Sequence, residues 1–174
     1  MDNPPNPRLK VIGVGNEWRG DDAVGLLVAR RLKEDQLPQV EVAECRGTLT
    51  AVREAWKDAA GVIVVDAVVS GGPPGTIHRF DAHGAGIPVE PSRSTSSHGW
   101  GVAEALALGK VFQELPPWLI IYGIEGQNFG PGQEVSQEVA AAIPEVVHRI
   151  RRDIQTWLGR ESSKGHPPRI GEQF

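Results

Sequence analysis

The 174-residue chain has one cysteine, Cys45, so no intramolecular disulfide framework holds it together. It has no apolar run near the roughly 20 residues that a bilayer-spanning helix needs. Its first residues, Met1 to Pro7, lack the basic and apolar regions of a secretory signal, and the expected location is cytoplasmic. Positive charge is not in excess either. The formal net charge is −4, with acidic and basic residues interspersed, which disfavours a nucleic acid or an anionic membrane surface as partner. Aromatic residues are sparse at 6%, yet hydrophobic residues reach 40%. That is enough for one buried core in a chain too short for two.

Residues 1–8 are rich in proline and asparagine, and 159–174 are polar with a Pro167-Pro168 pair. A disordered N-terminus and a flexible C-terminal tail are therefore expected around a single domain over 9–158. Within it, short β-branched runs alternate with helical patterns. Leu9 to Val14, Val40 to Ala43, Gly61 to Ala67, Thr76 to Phe80 and Trp118 to Ile124 read as strands. "GVIVVDA" at 61–67 is apolar until Asp66, as in a strand buried on both faces. Helices are expected over 22–34, 49–58 and 99–113, with a loop over 81–97. The longest has apolar positions from 135 to 158, and Pro144 either kinks it or opens a second helix. This alternation predicts an α/β layered domain with a largely parallel sheet.

The first strand breaks into "VIGVGNEWRGDDAVG" at 11–25. A dinucleotide fingerprint would need a third glycine where Trp18 stands. No phosphate-loop lysine motif is present, and Asp21 and Asp22 would repel a phosphate at the start of the following helix. Two readings of the aspartates compete. In one, Asp21 is an N-cap and Asp22 a favourable first-turn residue. In the other, one caps and the second faces outward as a metal or catalytic ligand, with Gly13, Gly15 and Gly20 allowing close approach.

In open α/β sheets the ligand site lies beyond the carboxyl ends of the strands. Asp22 follows the first strand, Asp66 closes "VIVVD", and His98 ends "SRSTSSH" before a helix. Two carboxylates and an imidazole with open positions suit a borderline divalent ion such as zinc, nickel or iron(II). The plainer alternatives are that Asp66 caps a turn and His98 begins a helix. His78, His83, His148 and His166 carry less weight. Covalent chemistry has little support: serines 92, 94, 96 and 97 lack a nucleophile elbow, and Cys45 reads as a half-buried strand-end residue.

With Gly13-x-Gly-Asn-x-x-x-Gly-Asp-Asp-x-x-Gly25, Val65-Asp-Ala-Val68 and Ser96-Ser-His-Gly-x-Gly101 in this order, the sequence resembles the hydrogenase maturation endopeptidases. These process the large subunits of [NiFe]-hydrogenases. "AECRGT" at 43–48 and "IYGIEG" at 121–126 resemble their soluble-hydrogenase branch. The resemblance implies a three-layer sandwich with a five-stranded sheet between helices. It also implies a metal-dependent cut near the C-terminus of the large-subunit precursor by a monomeric enzyme.

Matched by position, Asp22, Asp66 and His98 would contact nickel carried by the substrate, with zinc or cadmium standing in for it in vitro. Asp22 and Asp66 are equal candidates for the catalytic base. Many relatives carry glutamate at the position of Asp22, and some carry aspartate at that of Cys45. A hydrolase holding its own zinc, or a nickel-sensing chaperone that does no chemistry, are the alternatives.

Overall fold

The computed structural model describes residues 9–46, 48–84, 106–107 and 109–164. The five β-branched runs are strands: β1 (Leu9–Val14), β2 (Val40–Cys45), β3 (Gly61–Val68), β4 (Ile77–Asp81) and β5 (Trp118–Glu125). They form one sheet in the order β2-β1-β3-β5-β4. The β1 strand pairs in parallel with β2 and β3, and β3 with β5, while β4 lies antiparallel along β5. The expected α/β sandwich with a largely parallel five-stranded sheet is thus observed. The antiparallel edge has a simple cause: a parallel crossover needs a dozen or more residues, and the stretch from Val68 to Ile77 is shorter.

Helix α1 (Val24–Lys33) joins β1 to β2, and α2 (Leu49–Trp56) joins β2 to β3. One face of the sheet, with Val11, Ile63, Val65, Ile120 and Tyr122, packs against Val24, Val28 and Leu32 of α1 and against the last helix. The other face, with Ile12, Val14, Cys45, Val62, Val64 and Ile121, packs against Val52 and Trp56 of α2, and against Ala82 and Leu106. Of the helix expected over 99–113, residues 106–107 and 109–112 are described and helical. The β3 strand is buried from Gly61 through Ala67, as its apolar run predicts.

The last helix, α3 (Gln137–Lys164), is continuous through Pro144, so the second-helix alternative is not realised. An internal proline costs about 3 kcal/mol. Val139 before it and Val146, Val147, Ile150, Ile154 and Trp157 after it are all buried in the same core. Each such side chain contributes roughly 1.5–3 kcal/mol, so packing on both sides outweighs the missing hydrogen bond. The expected helix start at Asp22 also shifts: Gly20–Ala23 is a 3-10 turn, and α1 begins at Val24.

Two glycines bring that turn onto the sheet. A Cβ at Gly13 would lie 2.1 Å from the Gly25 carbonyl oxygen, and one at Gly25 would lie 2.2 Å from that of Val14 and 2.4 Å from that of Val65. The first turn of α1 therefore touches the ends of β1 and β3 through bare backbone. Because the obstructing atoms are backbone, rotamer changes cannot relieve them. Gly25→Ala is expected to destabilise the fold by more than about 2 kcal/mol, read as a lower urea midpoint, whereas alanine at Gly159, which has open space around it, should change little.

Candidate active site

The chain runs from β1 outward to β2 and returns to β3 on the other side of β1. A crevice opens where strand order reverses in this way, beyond the carboxyl ends of the strands. Asp22, in the turn after β1, and Asp66, near the end of β3, are both there. Side chains alternate along a strand, so Asp66 follows Val62 and Val64 onto the α2 side of the sheet. Gly123 is its neighbour on β5.

Both carboxylates are buried, Asp22 to 6% exposure and Asp66 to 7%. Burial pushes the Asp66 carboxyl well above the usual carboxylate range, and the nearby Asp22 charge pushes it further. Against these, one Asp66 oxygen accepts a hydrogen bond from the Ala67 amide at 2.8 Å. Two like charges in a desolvated crevice are the arrangement a cation or a shared proton would relieve.

Asp21 has a different role from the expected N-cap. It lies inside the 3-10 turn, and neither that turn nor α1 has a side-chain cap. Its wholly buried carboxylate instead reaches across to the β5–α3 connection. One oxygen accepts from the amides of Gln127 at 2.8 Å and Asn128 at 2.9 Å and from the Ser136 hydroxyl at 3.0 Å. The other accepts from the Ser136 amide at 2.7 Å, immediately before α3. The capping chemistry is thus used at a distant helix start, a long-range pairing invisible to local spacing.

Sequence reasoning puts the segment from Glu125 at this edge and gives the Glu125 side chain no role; it ends β5 there and is 1% exposed. It accepts hydrogen bonds from the Ser70 amide at 2.6 Å, the Ser70 hydroxyl at 2.7 Å and the Gly71 amide at 3.0 Å. His78 Nε2 stands 3.3 Å away. Burial pushes its carboxyl up, but the bonds from Ser70, His78 and Gly71 together pull harder and hold it below the usual range. An acidic residue closing an apolar strand, as Asp66 does, was the available signal.

Asp22 and Asp66 are therefore brought together, while His98 and serines 92, 94, 96 and 97 lie outside the described residues. Among the described residues, no group of three or more His, Cys, Asp or Glu side chains is arranged to hold a metal ion. Ala82 and Leu106 both pack on the sheet face that Asp66 shares. Cys45 is buried rather than half-buried, at 6% exposure, and its carbonyl accepts from the Gly15 amide at 3.0 Å. His148 is exposed on α3, and His83 meets the Pro116 carbonyl at 2.7 Å.

The sequence profile described as hydrogenase maturation protease matches residues 27–153. The chain belongs to the hydrogenase maturation protease family. Its relatives include the hydrogenase 2 maturation protease of Escherichia coli K12, 26% identical over 147 residues that span 82% of this chain and 88% of that protein. A hydrogenase 2 maturation peptidase from the Thaumarchaeota archaeon SCGC_AB-539-E09 superposes with a TM-score of 0.60 at 27% identity, over 85% of this chain and 98% of that one. The hydrogenase maturating endopeptidase HybD of E. coli shares the fold, with a TM-score of 0.70 at 23% identity over 86% of this chain and 93% of that one. As a family member the chain is a hydrolase, and the crevice with Asp22 and Asp66 is its candidate active site. Among the described residues no helix is long and apolar enough to cross a membrane.

Two outcomes follow from these carboxylates. Asp21→Ala leaves the buried amide and hydroxyl of Ser136 and the part-buried amides of Gln127 and Asn128 without their acceptor; at about 1–3 kcal/mol for each fully buried group, a loss of at least about 2 kcal/mol in urea unfolding is expected. Asp66 behaves oppositely. Its folded form binds the proton more tightly than the unfolded chain, so its contribution is present below the ordinary aspartate range and is lost as pH rises through the raised folded value. Asp66→Asn should therefore match the wild type in acid and become progressively more thermostable than it as pH rises. A Tm difference that shrinks with rising pH would contradict this.

Proposed function

We propose that this chain is the endopeptidase that removes the C-terminal peptide of a [NiFe]-hydrogenase large-subunit precursor once nickel has been inserted. It would recognise that nickel through Asp22, Asp66 and His98. The observation that carries this reading is the buried pair of coupled carboxyl groups at the switch point, in a member of the hydrogenase maturation protease family. A resident catalytic ion would normally be held by three protein ligands. With His98 the set reaches that number, so what separates the two cases is where the metal comes from, and in this proposal it arrives on the substrate and makes cleavage conditional on nickel.

The nickel, part of the substrate, supplies Lewis-acid polarisation of the scissile carbonyl and a template for water. The enzyme's residues supply the proton chemistry. Before substrate arrives, burial and, after it, the repulsion from Asp22 favour the protonated Asp66 carboxyl. A cation offsets that repulsion and lets Asp66 lose its proton to solvent, so that the carboxylate formed can accept a proton from the attacking water and return it to the leaving amine. Asp22 serves as ligand in this scheme.

Incubation with nickel-loaded precursor should release the C-terminal peptide, and nickel-free precursor should stay intact. Asp22→Asn, Asp66→Asn and His98→Ala should each lower the rate by about 100-fold or more, the scale of losing an acid–base group. Intact nickel-loaded precursor, in a preparation that another maturation peptidase does cleave, would overturn the proposal. Stoichiometric tightly bound zinc in enzyme purified without chelator would replace it with a hydrolase carrying its own metal. Precursor that is bound and never cut would replace it with a chaperone.

A further inference from the structure

Among the described residues three large apolar side chains stand in solvent: Trp18 at 66% exposure, Val111 at 73% and Phe112 at 58%. They lie at opposite ends of the sheet. Val111 and Phe112 precede the start of β5, and Arg53 lies over the Phe112 ring at 5.8 Å. Trp18 is in the turn that leaves the carboxyl end of β1 and leads into Asp22.

That turn is fixed although its indole is free of the core. The Trp18 carbonyl accepts from the Gly132 amide at 2.7 Å, and its amide donates to the Asn16 side-chain oxygen at 3.0 Å. On one side the Asn16 amide donates to the Asp22 carbonyl at 3.1 Å; on the other the Gly20 amide donates to the Gln133 carbonyl at 3.1 Å. Arg19 Nε reaches the Phe129 carbonyl at 3.1 Å. The one carboxylate next to Trp18, Glu17, is matched by Arg30 at 3.0 Å and Arg46 at 3.5 Å. The turn therefore presents an exposed indole from a backbone held by hydrogen bonds, four residues before Asp22. A backbone already fixed need not be ordered on binding, and tryptophan is enriched among residues that dominate protein interfaces.

We propose that Trp18 is a docking anchor for the hydrogenase large-subunit precursor, covering an apolar side chain of the precursor near the scissile bond. The assignment rests on the function proposed above and adds the surface by which the protein substrate is held. The occupant follows from continuity: a protein chain that places a peptide bond at Asp22 and Asp66 must pass the rim of the crevice. A metal ion alone has no use for an indole, whereas an apolar side chain of a protein substrate does.

The test measures cleavage of nickel-loaded precursor, and separately precursor affinity of the full-length protein by calorimetry, for wild type, Trp18→Ala, Trp18→Phe and Phe112→Ala. Trp18→Ala should raise both KM and Kd by about tenfold or more with kcat unchanged. Trp18→Phe should recover most of the loss, and Phe112→Ala should match the wild type. An unaltered KM and Kd in Trp18→Ala would overturn the inference, as would a fall in kcat alone, which would mark Trp18 as shaping the turn. Wild-type protein that binds precursor without cutting it defeats the proposed function, yet the Kd series still decides the role of Trp18. Wild-type protein that does not bind precursor defeats both.

Discussion

The architecture of the candidate active site depends on one buried carboxylate that takes no part in its chemistry. Asp21 accepts hydrogen bonds from Gln127, Asn128 and Ser136, and its own amide donates to the Asn128 carbonyl at 2.7 Å. These bonds join the turn after β1 to the chain that leaves β5 and enters α3, segments more than a hundred residues apart in sequence. The next residue is Asp22. Fixing Asp21 therefore fixes the backbone that carries Asp22, while the contact of Gly13 with Gly25 seats the same turn on the ends of β1 and β3. Side-chain hydrogen bonds set one coordinate and bare backbone packing the other.

Asp21, Glu125 and Asp66 are all buried at one edge of the sheet, and their hydrogen bonding separates structural from chemical roles. Asp21 and Glu125 each accept several bonds from backbone amides and hydroxyls, which replace the water lost on burial. Glu125 is held below the usual carboxylate range, so it supports the fold at neutral pH and loses that contribution only as pH falls through its folded value. Asp66 receives one amide bond and faces a second carboxylate, so ionising it opposes folding. A group retained in a folded protein despite working against stability is a candidate for function, and this separation uses neither motif nor family.

The strands, their order of appearance and the parallel character of the sheet were legible in the sequence because β-branched runs and helical spacing are local signals. Asp22 and Asp66 were legible because strand-end placement in an α/β chain maps onto one edge. Pairings across long sequence distances were not. The Asp21 bonds to residues 127–136 and the Glu125 bonds to residues 70–71 depend on strand order, which periodicity does not encode. Local capping rules gave Asp21 the nearest helix start, whereas the fold gave it another. Pro144 shows the same limit, since local propensity opposes a continuous helix there and tertiary burial on both sides outweighs it.

The same connectivity explains why a fold whose switch point commonly welcomes phosphate has an acidic crevice here. Anion sites at helix starts use free backbone N–H groups. In this chain the amides of the turn are already engaged: Gly20 with the Gln133 carbonyl, Asp21 with that of Asn128, Asp22 with that of Arg19 and Val24 with that of Asp21. A phosphate arriving at this turn would find those donors occupied and two aspartates repelling it. A cation would meet the reverse, with the turn's amides occupied and two carboxyl groups, Asp22 and Asp66, close by. Selection by sign of charge thus follows from where four amide hydrogens point, and the adjacent aspartates complete an inversion that the backbone had already begun.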